Sequence, residues 1–131
     1  MPSTLIEIRR PASPEEVEAL IAAVHDSLVA AFRIPAGDRN IRLATFEPHC
    51  MVRGLGLQNA DRYTRVTIDC FAGRTVAAKR HLYREVVERL GQLGTPAENI
   101  SILLRESPLE NWGIDGGRAA CDVDLGFAVD V

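Results

Sequence analysis

Proline at position 2 is the residue in this chain that could move a proton on a small acid, and an arginine at position 74 is one that could hold that acid in place. Met1 precedes a small second residue, the kind of start that methionine aminopeptidases trim, and its removal would turn the Pro2 amide nitrogen into a free secondary amine. An α-amino group ordinarily titrates at about 7.7–8.0. An apolar pocket or a neighbouring arginine disfavours its charged form and lowers that value. A neutral amine near pH 7 can take a proton from the carbon α to a carbonyl and return it elsewhere, which is keto–enol tautomerisation. Kept protonated, the same nitrogen would serve as an acid in decarboxylation or hydration. Met-Pro starts are also common and usually affect processing only. Arg74 offers a planar fork that grips a carboxylate through two parallel hydrogen bonds and could hold a substrate carbonyl near Pro2. The alternative for Arg74 is a solvated turn arginine of little consequence.

The elements that must position these residues form one unit written twice. Leu5 to Ile8 alternates as a strand and stops before Pro11. Ser13-Pro14-Glu15-Glu16 marks a helix start, with Ser13 as cap, Pro14 in the first turn and Glu16 completing a capping box. Val17, Leu20, Ile21, Val24, Leu28 and Phe32 follow as one apolar stripe, and the helix ends before Pro35. A loop through Asp38 and Arg39 leads to a second strand from about Asn40 to Phe46. The second half repeats the order: a strand at Val66–Cys70, a turn at Gly73-Arg74, a cap at Thr75, a stripe through Leu82, Val86 and Leu90, and a strand from Asn99 to Leu104. Ser13 and Thr75 lie 62 positions apart, as do Leu20 and Leu82; after the helices the offset falls to 59, from Asn40 to Asn99.

Each half therefore reads as a β-α-β unit with parallel strands. The expected fold is α/β: a single domain over 1–131, with repeats at about 2–47 and 64–106 and a tail over 107–131. Two fused repeats make a four-stranded mixed sheet with both helices on one face, plus short C-terminal strand structure. The other face of such a sheet is bare and needs cover. The alternation from Cys121 to Val131 reads as a half-buried strand, expected to pair with another copy of the chain; pairing within its own chain is the alternative.

Composition narrows the function classes. With 47% hydrophobic and 25% charged residues the chain is of globular type, and a formal charge of −3 provides no broad basic face for nucleic acid or anionic membrane. No stretch approaches the roughly 20 apolar residues of a membrane helix, and no signal peptide is visible, so a cytoplasmic protein is expected. Cys50, Cys70 and Cys121 form no CxxC pair and are expected to be buried thiols. His25, His49 and His81 have no metal-ligand spacing, so neither a metal nor a cofactor is expected. Gly54-Leu55-Gly56 is a weak echo of a dinucleotide loop and reads as a hairpin bend. Glu85 and Arg89 read as a solvated pair on the second helix.

The Met1-Pro2 start and the doubled β-α-β unit are joined, in order, by Ser13-Pro14-Glu15-Glu16, Phe32-Arg33-Ile34-Pro35-Ala36-Gly37-Asp38-Arg39, Phe71-Ala72-Gly73-Arg74-Thr75 and Glu106-Ser107-Pro108-Leu109-Glu110-Asn111-Trp112. Together they resemble the tautomerase superfamily, and within it the members of about this length that include malonate semialdehyde decarboxylase. The resemblance implies an N-terminal-proline enzyme, a homotrimer with sheets facing inward, and a small carboxylate-bearing substrate. It implies that Pro2 is the catalytic amine, Arg74 the substrate-carboxylate arginine, Asp38 an acidic residue orienting water or substrate, and Trp112 part of an apolar wall over the site. On its residues alone Asp38 reads equally as a turn cap, and Trp112 equally as closure of a small core. Arg39 is a further substrate-binding candidate, its alternative an ion pair with Asp38. Two positions depart from the decarboxylase pattern: Ala72 replaces a second arginine and Ile114 an aromatic. The leading expectation is a tautomerase that interconverts enol and keto forms of a small 2-oxo acid. The alternatives are a decarboxylase or hydratase like the malonate semialdehyde enzyme, and a non-catalytic trimer that binds a small acid.

Overall fold

The structure is a computed structural model that describes residues 2–54 and 56–131. Met1 and the centre of the Gly54-Leu55-Gly56 bend lie outside the described residues. Strand β1 (Ser3–Ile8) is followed by helix α1 (Pro14–Phe32), strand β2 (Ile41–Thr45), strand β3 (Thr64–Phe71), helix α2 (Val76–Gln92) and strand β4 (Ile100–Ser107). The four strands form one sheet in the order β2-β1-β3-β4. β1 runs parallel to β2 and β3 parallel to β4, while β1 and β3 are antiparallel. Two right-sized β-α-β units thus join through their first strands, as the internal repeat requires. A two-stranded ribbon, β5 (Gly113–Ile114) with β6 (Arg118–Ala119), follows.

The two helix starts show how closely the halves agree. Ser13 has φ −71° and ψ 159° and accepts a hydrogen bond from the Glu16 amide; Thr75 has φ −72° and ψ 160° and accepts one from the Ala78 amide. Each satisfies one of the orphan amides at a helix N-terminus. The Glu16 carboxylate completes the capping box through the Ser13 backbone amide and also accepts from Arg10 Nη1 at 2.7 Å, and both bonds hold its pKa below the ordinary value, the Arg10 bond foremost. At the far end of α1, Arg33 adopts φ 55° and its amide donates to the Val29 carbonyl, ending the helix two residues before Pro35.

Both stripes turn to the same sheet face. Leu20, Val24, Leu28 and Phe32 of α1 and Leu82, Val86 and Leu90 of α2 are buried against Ile6, Ile8, Val66 and Ile68. Each such large side chain contributes roughly 1.5–3 kcal/mol. His25 is buried beside the α1 stripe and donates from Nε2 to the Ala36 carbonyl at 2.8 Å, tying the helix to the loop that follows it. The Glu85–Arg89 pair forms at 3.1 Å. The second sheet face carries Leu5, Thr67 and Leu103 side by side in register, with Leu103 43% exposed.

Two expectations are corrected. Cys70 is buried, but Cys50 and Cys121 are exposed: both belong to short 3-10 turns outside the two-layer core, Cys50 as the last residue of one and Cys121 in the middle of the other. The segment from Cys121 to Val131 is not a strand; after a turn at Ala120–Asp122 it runs as bends across its own chain. Its alternation is real, with Val123, Leu125, Phe127, Val129 and Val131 half-buried, but Gly126 at φ 75° interrupts any extended run. Phe127 packs on the core, and the Val131 oxygen accepts from the Thr75 amide at 3.2 Å and from Thr75 Oγ1 at 3.0 Å.

Gly73 is where this segment comes closest. It has φ 134°, and a Cβ there would stand 2.9 Å from the Val129 carbonyl oxygen. The Gly73→Ala variant is therefore expected to lose roughly 1–3 kcal/mol through strain and collision. Thermal unfolding should show a lower midpoint, and limited proteolysis should cut faster within 121–131; an unchanged midpoint and cutting rate would contradict this packing.

Candidate active site

The start of β1, the loop before β2, and the ends of β3 and β4 meet at one end of the sheet, since β1 and β3 are antiparallel while each runs parallel to its partner. Pro2 is buried there. It precedes Ser3, which faces Asp69, so it comes beside the Asp69–Cys70 end of β3. Thr4, Ile6 and Ile8 point to the helices, and alternation puts Pro2 on that same side. The loop before β2 is stitched to this corner by the Thr4 amide, which donates to the Asn40 carbonyl at 3.0 Å. Asp38, two residues earlier, is half-buried, its amide donating to the Pro35 carbonyl at 2.9 Å, and Arg39 is exposed.

Arg74 is not a solvated turn residue. It is 5% exposed and its guanidinium carbon lies 4.8 Å from the centre of the Phe32 ring. Nη1 donates to the Phe71 carbonyl at 3.1 Å. Nε and Nη2 are buried with no hydrogen-bond partner among the described residues. Burial pushes the arginine's pKa below its ordinary value, but an arginine stays charged at any physiological pH. The neighbouring Cys70 thiol is no counter-ion, because burial pushes its pKa up and keeps it neutral. Glu106, a carboxylate whose charge favours the Arg74 cation, is engaged by Lys79 Nζ at 2.5 Å. A cation–π contact and one carbonyl leave most of the desolvation cost of this cation unrelieved. Such a group is poised for an anion that brings two acceptor oxygens.

Trp112 closes the end of β3 from the second sheet face. Its ring meets Phe71 edge to face, with centroids 5.0 Å apart and planes at 76°. Nε1 donates to Ser107 Oγ at 2.7 Å, which orients the indole. Trp112 thus braces the strand whose last carbonyl holds Arg74. Ile114, two residues on, lines a cleft of about 490 Å³ together with Asp38 and the Val123–Phe127 stretch. The segment that walls this cleft goes on to cover Gly73 and Thr75, so one piece of chain spans from Asp38 to the Arg74 turn.

The structure thus brings Pro2, Asp38, Arg74 and Trp112 to one end of the sheet and leaves Arg39 at the surface. Sequence reasoning did not assign Phe32 and Phe71 to the arginine, nor Val123, Leu125 and Phe127 to the cleft. The first two lay inside the quoted motifs; the last three carried a clear alternation that fits a wall as well as a strand. Among the described residues no group of three or more His, Cys, Asp or Glu side chains could hold a metal, and no helix is long and apolar enough to cross a membrane.

A family model described as tautomerase enzyme matches residues 38–115. Probable tautomerase YusQ of Bacillus subtilis (strain 168) is 24% identical over 123 residues, covering 91% of this chain and 97% of that protein. FG41 malonate semialdehyde decarboxylase, solved with 3-bromopropiolate as inhibitor, superimposes with a TM-score of 0.81 at 28% identity over 89% of this chain and 92% of its own. A fused 4-OT solved as a symmetric trimer shares the fold, with a TM-score of 0.79 at 24% identity over 90% of this chain and 95% of its own. The matched stretch contains Asp38, Arg74 and Trp112 and spans more than half of the chain: this protein belongs to the tautomerase enzyme family.

Proposed function

We propose that the protein is a tautomerase that interconverts the enol and keto forms of a small 2-oxo acid, with Pro2 as base and acid and Arg74 as the carboxylate clamp. The observation that carries this reading is the buried Arg74 guanidinium with two nitrogens unpartnered, at the sheet end where β1 begins. Removal of Met1 would leave the Pro2 nitrogen as a secondary amine in a buried setting beside a cation. Both features lower an amine's pKa and favour the neutral base at pH 7. A substrate carboxylate on Nε and Nη2 would satisfy the orphaned donors and fix the carbonyl, so that the proton leaves and returns at adjoining carbons on one amine. Asp38, at the rim, would orient the far side of the substrate or a water, and Arg39 would act only at the surface. The bare second face fits burial against further copies of the chain. The trimeric assembly of a fused 4-OT of the same fold supports a homotrimer here.

A second reading, decarboxylation or hydration of a 3-oxo or halogenated acrylic acid, draws on the 28% identity to a malonate semialdehyde decarboxylase and on Asp38 at the cleft. Ala72 weighs against it, since that exposed turn position supplies no second arginine.

Intact-mass spectrometry of the purified protein should show Met1 absent, and Pro2→Ala should lower kcat for ketonisation of phenylenolpyruvate by about 10²-fold or more. Retained Met1, or a Pro2→Ala rate equal to wild type, would contradict the role of Pro2. Arg74→Ala should lower kcat/KM by about 10²-fold, with most of the loss in KM, because the clamp acts on bound substrate and transition state alike. Arg74→Lys should recover only part of it, since an ammonium cannot form the two-point grip. Full activity of Arg74→Lys would contradict the clamp geometry.

A further inference from the structure

We propose that Cys70 is a positioning residue of this site: its neutral thiol fills the place beside both Pro2 and Arg74, and so leaves the amine unprotonated and the guanidinium unpaired until an anion arrives. The proposal rests on the reading of Pro2 as the amine and Arg74 as the clamp.

The strand register sets Cys70 in its place. Ser3 faces Asp69 and Thr4 faces Ile68, so the next rung of this antiparallel pair brings Pro2 opposite Cys70. Opposed residues share a sheet face, with Cβ atoms about 4.5–5.5 Å apart. That face is the helix side, where Cys70 is 1% exposed and joins the core cluster that holds Phe32. Arg74, in the turn after the same strand, packs its guanidinium over the Phe32 ring and keeps Nε and Nη2 unpartnered there. A buried cysteine by itself reads as packing. Two buried donors without partners next to it mark its surroundings as a place that receives an anion.

The other titratable groups around this corner are committed elsewhere. Asp69 alternates to the opposite sheet face, where Arg105 grips its two oxygens at 2.8 and 2.9 Å. On β4, Glu106 is engaged by Lys79 of α2. On α1, His25 is bonded to the Ala36 carbonyl. Asp38, from the loop before β2, lines the cleft beside Ile114. Position 70 is therefore where the side chain decides what the amine and the guanidinium meet. A carboxylate there would be held ionised by its two neighbours, would pair with Arg74 and would keep the amine protonated. A hydroxyl would offer an acceptor to the orphaned guanidinium nitrogens. The thiol does neither: it is a weak acceptor, and burial keeps it protonated, outweighing the Arg74 charge that acts on it.

The test reads both neighbours by NMR on the trimmed, ligand-free protein. The ring-carbon resonances of Pro2 follow the charge on its nitrogen. Cys70→Asp should raise their titration midpoint by at least about one pH unit. The acid limb of kcat/KM should move to higher pH by the same amount, because the base is the unprotonated amine. Cys70→Ser changes a single atom and decides the matter if Cys70→Asp does not fold. It should move the Arg74 Nε–H signal downfield as the hydroxyl becomes its acceptor. Cys70→Val, which fills the same place without an acceptor, should leave the Pro2 midpoint and the Arg74 signal as in wild type. A midpoint unmoved in Cys70→Asp, an Arg74 signal unmoved in Cys70→Ser, or shifts in Cys70→Val equal to those of the polar variants overturns the proposal. The NMR readouts need no substrate, so they separate this role from the reaction. The expected shifts in a protein that does not ketonise phenylenolpyruvate leave Cys70 in its role and remove the tautomerase reading. Turnover that depends on Pro2, with both signals unmoved in the variants, does the reverse.

Discussion

A guanidinium held out of water with two of its nitrogens unpartnered is the constraint around which this structure is arranged. Burying an unpaired cation is expensive, and a fold that served stability alone would pair it or turn it outward. Arg74 is instead held inward by the Phe32 ring at the end of α1 and the Phe71 carbonyl at the end of β3. Glu106 favours the cation only through its charge, since Lys79 engages that carboxylate, and burial keeps the Cys70 thiol protonated. The cost is met by two well-packed halves, whose shared core of helix stripes on one sheet face supplies the stability that the sheet end gives up.

Duplication explains how one end of a small sheet collects so many different groups. Parallel strands within each repeat bring strand starts and strand ends into register, and the antiparallel join of β1 with β3 sets the beginning of one repeat against the end of the other repeat's first strand. The first repeat contributes Pro2 and the Asp38 loop; the second contributes the 71–75 turn and, beyond β4, Trp112. The same cap geometry opens both helices, yet only the second helix start has an arginine before its cap and a chain segment laid across it. The repeats share a frame and differ at this end of the sheet.

Most of the frame was legible from residue order. Apolar stripes at helical spacing, caps at Ser13 and Thr75, and the constant offset between halves lead directly to the sheet and helix layers, because local propensity and burial point the same way at those positions. The quoted motifs supplied Pro2, Asp38, Arg74 and Trp112 as candidates, and the fold sets these four toward one end of the sheet. The direction of Arg74 was not legible, since a turn arginine points outward unless a ring such as Phe32 happens to lie beneath it, and that contact is made across 42 residues. The segment from Cys121 to Val131 misled for a physical reason. Period-two alternation signals one buried side, and a bent segment laid over a cleft has one buried side just as a strand does.

The nitrogen resonances of Arg74 report most directly on whether this cation is an anion receptor. With ¹⁵N-labelled protein, titration with phenylpyruvate should move the Arg74 Nε–H signal saturably and downfield, as a hydrogen bond to a carboxylate forms where no partner was present. An Arg74 signal that stays fixed at saturating ligand, or movement confined to exposed arginines such as Arg39, would contradict the assignment.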